Sequence, residues 1–296
     1  MQNSSRTSYA HLLMISRRNF IQLSIAGLGA LAGDKLFGFS SSSRPLGVQL
    51  YTVREQAERD LPGVLQAIHQ IGYKEVELYW NVYTHPAAEL RSMIADHGLT
   101  APSGHFNYEG LPDKLDYAQA LGLKYVVCPM LPKKMWNTLD GFKQAAEQFN
   151  RWGEQVRSRG MRFGFHNHNY EFRKFGDTTG FDTLLANTDP KLVCWEMDCY
   201  WVTQAGRDPL KMLKQHGDRI RLLHLKDRKP GFPPSQELND SAGHFTEVGT
   251  GSIDWKDILK AARQNGIEYL FVEQDFTSLP PVESLRISYN NLRKLL

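Results

Sequence analysis

The chain has 296 residues with 35 Lys+Arg against 32 Asp+Glu, and the resulting formal charge of +3 excludes a strongly basic nucleic-acid-binding surface as the leading reading. Its 41% hydrophobic, 11% aromatic and 23% charged residues exclude a disordered, fibrous or repeat-array chain, leaving two ordinary domains or one large α/β domain. Three cysteines, Cys128, Cys194 and Cys199, cannot build a disulfide framework and lack zinc-site spacing; Cys128 and Cys194 stand in apolar runs that suit buried free thiols.

Residues 1–32 carry Arg6, Arg17 and Arg18 and no acidic residue, so the whole surplus of charge lies there and the remainder is formally neutral. Ser16-Arg-Arg-Asn-Phe-Ile-Gln22 leads into the apolar stretch Leu23–Leu31, with Ala30-Leu31-Ala32 as a small-x-small cleavage site. A charged start, a short apolar run and such a site are the parts of a signal peptide, and the stretch is too short to span a bilayer. The arginine pair followed by Phe20 and Ile21 resembles the leader of the bacterial twin-arginine route, whose machinery is then the expected partner and the periplasm, or another exported location, the destination. Met14, just before the pair, offers a second start. Residues 33–45, with Ser40–Ser43 and Pro45, read as a linker, and residues 46–296 as the folded part.

From Leu46 onward one unit recurs: a segment of helical periodicity, a glycine, then a short apolar strand. The strands read as Gly47–Tyr51, Gly72–Leu78, Gly98–His105, Gly122–Cys128, Gly160–His166, Lys191–Asp198, Gly217–His224 and Gly266–Glu273. A glycine past a helix supplies the left-handed residue that ends it, and the β-branched and aromatic run that follows suits a buried parallel strand. The intervening segments place apolar residues on one helical face, as in Leu61, Val64, Leu65, Ile68 and Ile71, or Phe142, Ala145, Ala146, Phe149 and Trp152. Eight βα units in roughly 250 residues predict a closed (β/α)₈ TIM barrel. An open doubly wound sheet is the runner-up, but no Gly-x-Gly-x-x-Gly turn follows the first strand.

In such a barrel chemistry sits where strands end. The second strand ends near Glu77, the third at His105, the fifth at His166-Asn167-His168, the sixth at Asp198, the seventh at His224 with Lys226 and Asp227, and the eighth at Glu273. Imidazole and carboxylate groups converging in one mouth suit one divalent ion, Mn²⁺, Co²⁺, Fe²⁺, Zn²⁺ or Mg²⁺, without which their mutual repulsion and desolvation are costly.

Several runs are similar to the xylose isomerase-like barrel superfamily, which includes sugar phosphate isomerases and epimerases. They are Gly47-Val-Gln-Leu-Tyr-Thr-Val-Arg54, His166-Asn-His-Asn-Tyr-Glu-Phe172, Glu196-Met-Asp-Cys-Tyr-Trp-Val202, Ile220-Arg-Leu-Leu-His-Leu-Lys-Asp227, Val248-Gly-Thr-Gly-Ser-Ile-Asp-Trp255 and Phe271-Val-Glu-Gln274. The resemblance implies a metal held by Asp198, His224 and Glu273, with a strand-5 glutamate as fourth ligand. Here that position carries His166, so His166 is the expected fourth ligand or a ligand-side base, with His168 or Glu171 as substitutes. Losing one of two facing glutamates weakens a two-base mechanism and favours one-sided chemistry. The implied reaction is abstraction of a proton next to the carbonyl of a keto-sugar or 3-keto-glycoside, by epimerisation, isomerisation or elimination. The expected catalytic residues are Glu273, His166 and Lys226.

Gln49, Tyr51, Glu77, His105, His168 and Trp201 are the expected substrate contacts, with Phe106, Tyr108 and Tyr200 as further pocket walls. The loop from Lys229 to Gly251, rich in Pro and Gly, is long enough for a lid. Two other readings stay open: a non-catalytic sugar-binding barrel, and an abasic-site endonuclease, which the neutral folded part and the leader disfavour. A phosphorylated substrate is disfavoured too, as no phosphate-cradling glycine loop follows the last strands, and homo-oligomerisation stays open.

Overall fold

The structure, a computed structural model, describes residues 44–238 and 243–296. The leader and nearly all of the linker therefore lie outside the described residues. Eight strands form the barrel: β1 (Gly47–Gln49), β2 (Glu75–Leu78), β3 (Thr100–His105), β4 (Tyr125–Cys128), β5 (Arg162–His166), β6 (Val193–Asp198), β7 (Ile220–Leu225) and β8 (Tyr269–Val272). Each pairs in parallel with its sequence neighbours and β8 closes on β1, so the sheet has no edge to protect.

A helix follows each strand: α1 (Leu61–Ile71), α2 (Ala87–Asp96), α3 (Leu115–Leu121), α4 (Leu139–Ser158), α5 (Gly180–Asn187), α6 (Pro209–His216), α7 (Trp255–Gln264) and α8 (Pro281–Arg293). The predicted apolar faces of α1 and α4 are the buried ones. Asp60 starts α1 by accepting the Gly63 amide and Thr138 starts α4 by accepting the Gly141 amide. Gly72, Gly98, Gly122, Gly160 and Gly266 sit at positive φ ahead of their strands, as read from the sequence. Gly217 does not: its φ is −60°, and glycine suits it because a side chain there would meet Asn265 and the Leu213 carbonyl.

Side chains alternate across a strand, so register decides what fills the barrel. Tyr125, Val127, Cys194, Leu222, Tyr269 and Phe271 close the amino end as one apolar cluster. Two residues further along the same strands the inward side chains turn polar: Glu196 follows Cys194, His224 follows Leu222, and Glu273 follows Phe271. One step beyond Glu196 on the same face is Asp198, and β6 and β7 are in register there, Asp198 opposite His224. The three cysteines are buried and free.

Candidate active site

Two sets of buried ionisable groups stack along the barrel axis and share His224. The inner set is Glu77, His105, Glu196 and His224 with Gln49 and Ser103. Glu77 accepts from Gln49 Nε2 at 2.9 Å, Ser103 Oγ at 2.5 Å and His224 Nε2 at 2.6 Å, and His105 Nε2 lies 2.7 Å from Glu196 Oε2. The outer set is Asp198, His224, Glu273 and Lys226 with Asp275. His224 Nδ1 is 2.8 Å from Glu273 Oε2, and the Lys226 ammonium lies 2.6 Å from Glu273, 2.8 Å from Asp275 and 3.1 Å from Asp198. His166 touches both sets, with Nδ1 3.2 Å from Glu196 Oε2 and Nε2 3.7 Å from Asp198 Oδ2.

The electrostatics follow from burial and these partners. Burial opposes the charge on His224, yet Glu196, Glu273 and Glu77 outweigh it and push its pKa well up. Burial likewise opposes ionisation of Glu273, but Lys226 and His224 hold its carboxyl well below the ordinary range. Asp198 is pushed up to about 6, by burial first, against the pull of Lys226 and His224. Burial and then the charge of His224 take His166 down to about 3, and His168 falls well below its usual value through burial and His166. Both therefore stand as neutral imidazoles at physiological pH.

The outer set fits a divalent cation. Asp198, His224 and Glu273 each offer a ligand atom within 4.8 Å of the others. Asp198 Oδ2, on a fully buried side chain, has the Lys226 ammonium 3.1 Å away but accepts no aligned hydrogen bond. Three carboxylates, Asp198, Glu273 and Asp275, outnumber the one ammonium and the His224 imidazole set among them, which leaves negative charge to compensate. His105, His166, Glu196 and His224 also lie close enough to ligate, but the inner carboxylates already accept from His224 and His105. Glu77, accepting from His224 Nε2, fixes the ring so that Nδ1 faces Asp198 and Glu273, the arrangement by which an outer carboxylate orients a metal-binding imidazole.

A cavity of about 550 Å³ opens over this cluster. Of the residues expected from the sequence, Tyr51, His105, His166, His168, Trp201, Lys226 and Glu273 line it. Asp198 and His224 lie just beneath, at 0% exposure. Gln49 and Glu77, expected on the wall, lie under the floor instead, because inward positions one layer below the strand ends face other side chains rather than the mouth. Phe106, Tyr108 and Tyr200 are packing residues: Phe106 stacks on Tyr83, Tyr108 meets Trp152 edge-on and Tyr200 stacks on Phe245. Glu171 turns away to accept the His168 amide at 3.0 Å, so of the strand-5 candidates it is the one removed from the cluster. Two members escaped the reading of strand ends. Glu196 sits inside β6, and its signal was the Glu-x-Asp alternation that puts Glu196 and Asp198 on one face; Asp275 repeats that spacing after Glu273.

The loop after β7 is pinned by Asp227, which accepts the Gly249 and Gly251 amides and the Trp255 indole. Those glycine amides are thereby filled from within, in keeping with the absence of a phosphate-cradling loop from the sequence. Arg228 holds the Phe232 and Pro233 carbonyls, and Leu238 from the same loop reaches the cavity.

Residues 65–295 match the xylose isomerase-like TIM barrel family. An inosose dehydratase of Clostridium botulinum (strain Alaska E43) is 31% identical over 256 residues, covering 74% of this chain and 85% of that protein. An inosose dehydratase of Geobacillus thermodenitrificans is 27% identical over 239 residues, covering 69% and 79%. Among solved structures, a sugar phosphate isomerase/epimerase from Parabacteroides distasonis superposes with a TM-score of 0.71 at 24% identity, over 89% of this chain and 98% of that one. A zinc-bound IOLI protein superposes with a TM-score of 0.67 at 17% identity, over 85% and 97%. With these relatives and this cluster at the mouth, the chain is a carbohydrate-modifying enzyme, and it belongs to the xylose isomerase-like TIM barrel family.

Proposed function

We propose that the enzyme removes a proton from the carbon next to the carbonyl of a keto-sugar, keto-cyclitol or 3-keto-glycoside and expels the substituent on the following carbon, an eliminating dehydratase or lyase. The observation that carries this reading is that neutral imidazoles and an ammonium line one cavity: His166 and His168 on one strand end, Lys226 on another. His168, a neutral imidazole in the cavity wall, is the base; it takes the proton while the C–H electron pair enters the enolate. Lys226 stabilises the negative charge that develops on the carbonyl oxygen, and as the C–O bond breaks its ammonium gives a proton to the departing oxygen, which leaves as neutral water or alcohol; the proton held by His168 then restores the pair through solvent.

Asp198, His224 and Glu273, with His166 through Nε2, would hold a divalent ion, which supplies polarisation of the substrate carbonyl. Glu77 keeps His224 in the ligating tautomer, and Glu196 accepts from His105 beneath it. Epimerisation needs a base on each face, and here one candidate, Glu273, is tied to Lys226 and His224 while the strand-5 position is an imidazole. The dehydratase relatives support elimination in the same direction. The cavity lining gives the endonuclease reading no support, since Lys226 is the one Lys or Arg lining it among the described residues.

Incubation with scyllo-inosose and with 3-keto-glucosides in deuterated buffer tests the reading by NMR. Appearance of the unsaturated ketone is expected, with deuterium uptake into unreacted ketone where proton removal reverses; an epimer without alkene would move the assignment to epimerase, and neither alkene nor uptake from any keto-sugar would overturn it. Metal analysis is expected to find about one divalent ion per chain, lost in His224→Ala. The leader adds export by the twin-arginine route, which fusing residues 1–45 to a reporter tests.

A further inference from the structure

Four large apolar side chains are exposed among the described residues, and three of them, Trp80 at 37%, Met130 at 36% and Phe276 at 51%, line the same cavity. They come from the loops after β2, β4 and β8, on separate sides of the mouth, joined by Tyr51 after β1 and Leu238 after β7. Tyr51 and Trp80 lie with ring centroids 5.5 Å apart, tilted by 47°, and form one aromatic wall. Most of the polar lining lies below: His105, His166, His168, Lys226 and Glu273 are all buried, while Asn107 is exposed. Exposed apolar side chains gathered around one mouth over a mostly polar floor mark a site for an apolar ligand group, since soluble proteins otherwise expose such side chains singly.

The rim also discriminates between kinds of group. A second sugar ring would bring hydroxyls that need hydrogen-bond partners, and above the floor Asn107 and the Tyr51 hydroxyl are nearly all the lining offers, because Asp275 is engaged by Lys226. A flat aromatic group needs none and gains from stacking on Trp80, Tyr51 and Phe276. Resting on the reading that the floor holds the sugar, we infer that the rim is a subsite for the aromatic aglycone of a glycoside, so that the group expelled is an aryl-type alcohol rather than water.

Phenyl and methyl D-glucosides, both anomers, test this on the full chain by calorimetry. They lack the carbonyl that makes the ring proton acidic, so they bind without turnover. Phenyl glucoside of the matching anomer is expected to bind about tenfold or more tightly than its methyl counterpart, from the apolar area the rim covers. Trp80→Ala and Phe276→Ala should each remove most of that difference and leave methyl glucoside unchanged. Equal affinities, or substitutions that weaken both glucosides alike, would overturn the subsite. So would rim variants that alter sedimentation and not the affinity ratio, which would assign the patch to a second copy of the chain. The keto-sugar incubations read the floor separately: absence of both unsaturated ketone and deuterium exchange would sink the elimination chemistry while the affinity ratio still tests the rim.

Discussion

The two ends of the barrel are built from the same eight strands in the same inward register, and they are filled in opposite ways. At the amino end Tyr125, Val127, Cys194, Leu222, Tyr269 and Phe271 pack together, and their two hydroxyls reach outward to cations, Tyr125 to Arg162 at 2.7 Å and Tyr269 to Lys124 at 2.8 Å. At the carboxyl end five carboxylates, Glu77, Glu196, Asp198, Glu273 and Asp275, crowd around one lysine and three imidazoles. An apolar plug lowers the free energy of the fold by leaving water, whereas a buried carboxylate cluster must recover its desolvation through partners and is weak evidence for stability. The division says that the amino end holds the barrel shut and the carboxyl end is kept, at a cost in stability, for chemistry.

Substitution at the carboxyl end should break that division most visibly. Glu273→Gln removes a ligand and one of the three carboxylates that hold Lys226, and turnover of a keto-sugar should fall by about 10²–10⁴-fold, with loss of bound metal. A drop of less than tenfold with metal retained would separate Glu273 from the chemistry. At the amino end, Leu222→Ala opens a cavity under His224 and should cost about 2–5 kcal/mol in urea unfolding. Its activity at a temperature where the variant stays folded should remain within a few-fold, since His224 is held from both sides by Glu77 and Glu273.

What the sequence could and could not reveal follows the same line. The barrel was legible because short continuous apolar runs and helix-ending glycines are local signals, and Asp198, His224, Lys226 and Glu273 were legible because they stand at strand ends. Glu196 was passed over because it lies inside a strand, where a carboxylate looks like an isolated polar interruption until its partner two residues on is counted. Gln49 and Glu77 were read as wall residues because sequence gives the inward face but not the layer: strand lengths and the stagger of the barrel put them beneath the floor. The aromatic rings at Phe106, Tyr108 and Tyr200 were ambiguous for a plainer reason, that a ring after a strand packs as readily under a loop as against a ligand.

Glu171 sharpens the comparison through pH. Burial pushes its carboxyl up to about 8, against the His168 amide and Tyr170 that favour the ionised form. The folded state then holds a proton that the unfolded chain gives up near its ordinary value, so stability should fall as pH rises from about 4.5 to about 8, with a limiting slope of about 1.4 kcal/mol per unit. Glu171→Gln keeps an acceptor for the His168 amide without the charge, and should flatten this dependence in denaturant titrations at pH 5, 6, 7 and 8. A variant with the wild-type slope would assign the dependence to the outer carboxylates instead.

The smallest effect belongs to the amino end. Tyr125 is fully buried as a ring, but its hydroxyl meets Arg162, whose side chain is 47% exposed and also pairs with Glu268 at 2.6 Å. Tyr125→Phe keeps the ring, its edge-on contact with Tyr269 at 5.9 Å and the seal of the plug, and removes only the hydroxyl. Because Arg162 reaches solvent, water replaces the lost partner and no buried charge is orphaned, so the cost should be about 1 kcal/mol with activity unchanged. A loss of several kcal/mol would mean that the amino end is held by its polar cap rather than by its apolar filling, and the contrast between the two ends would then be one of exposure to water, not of chemical character.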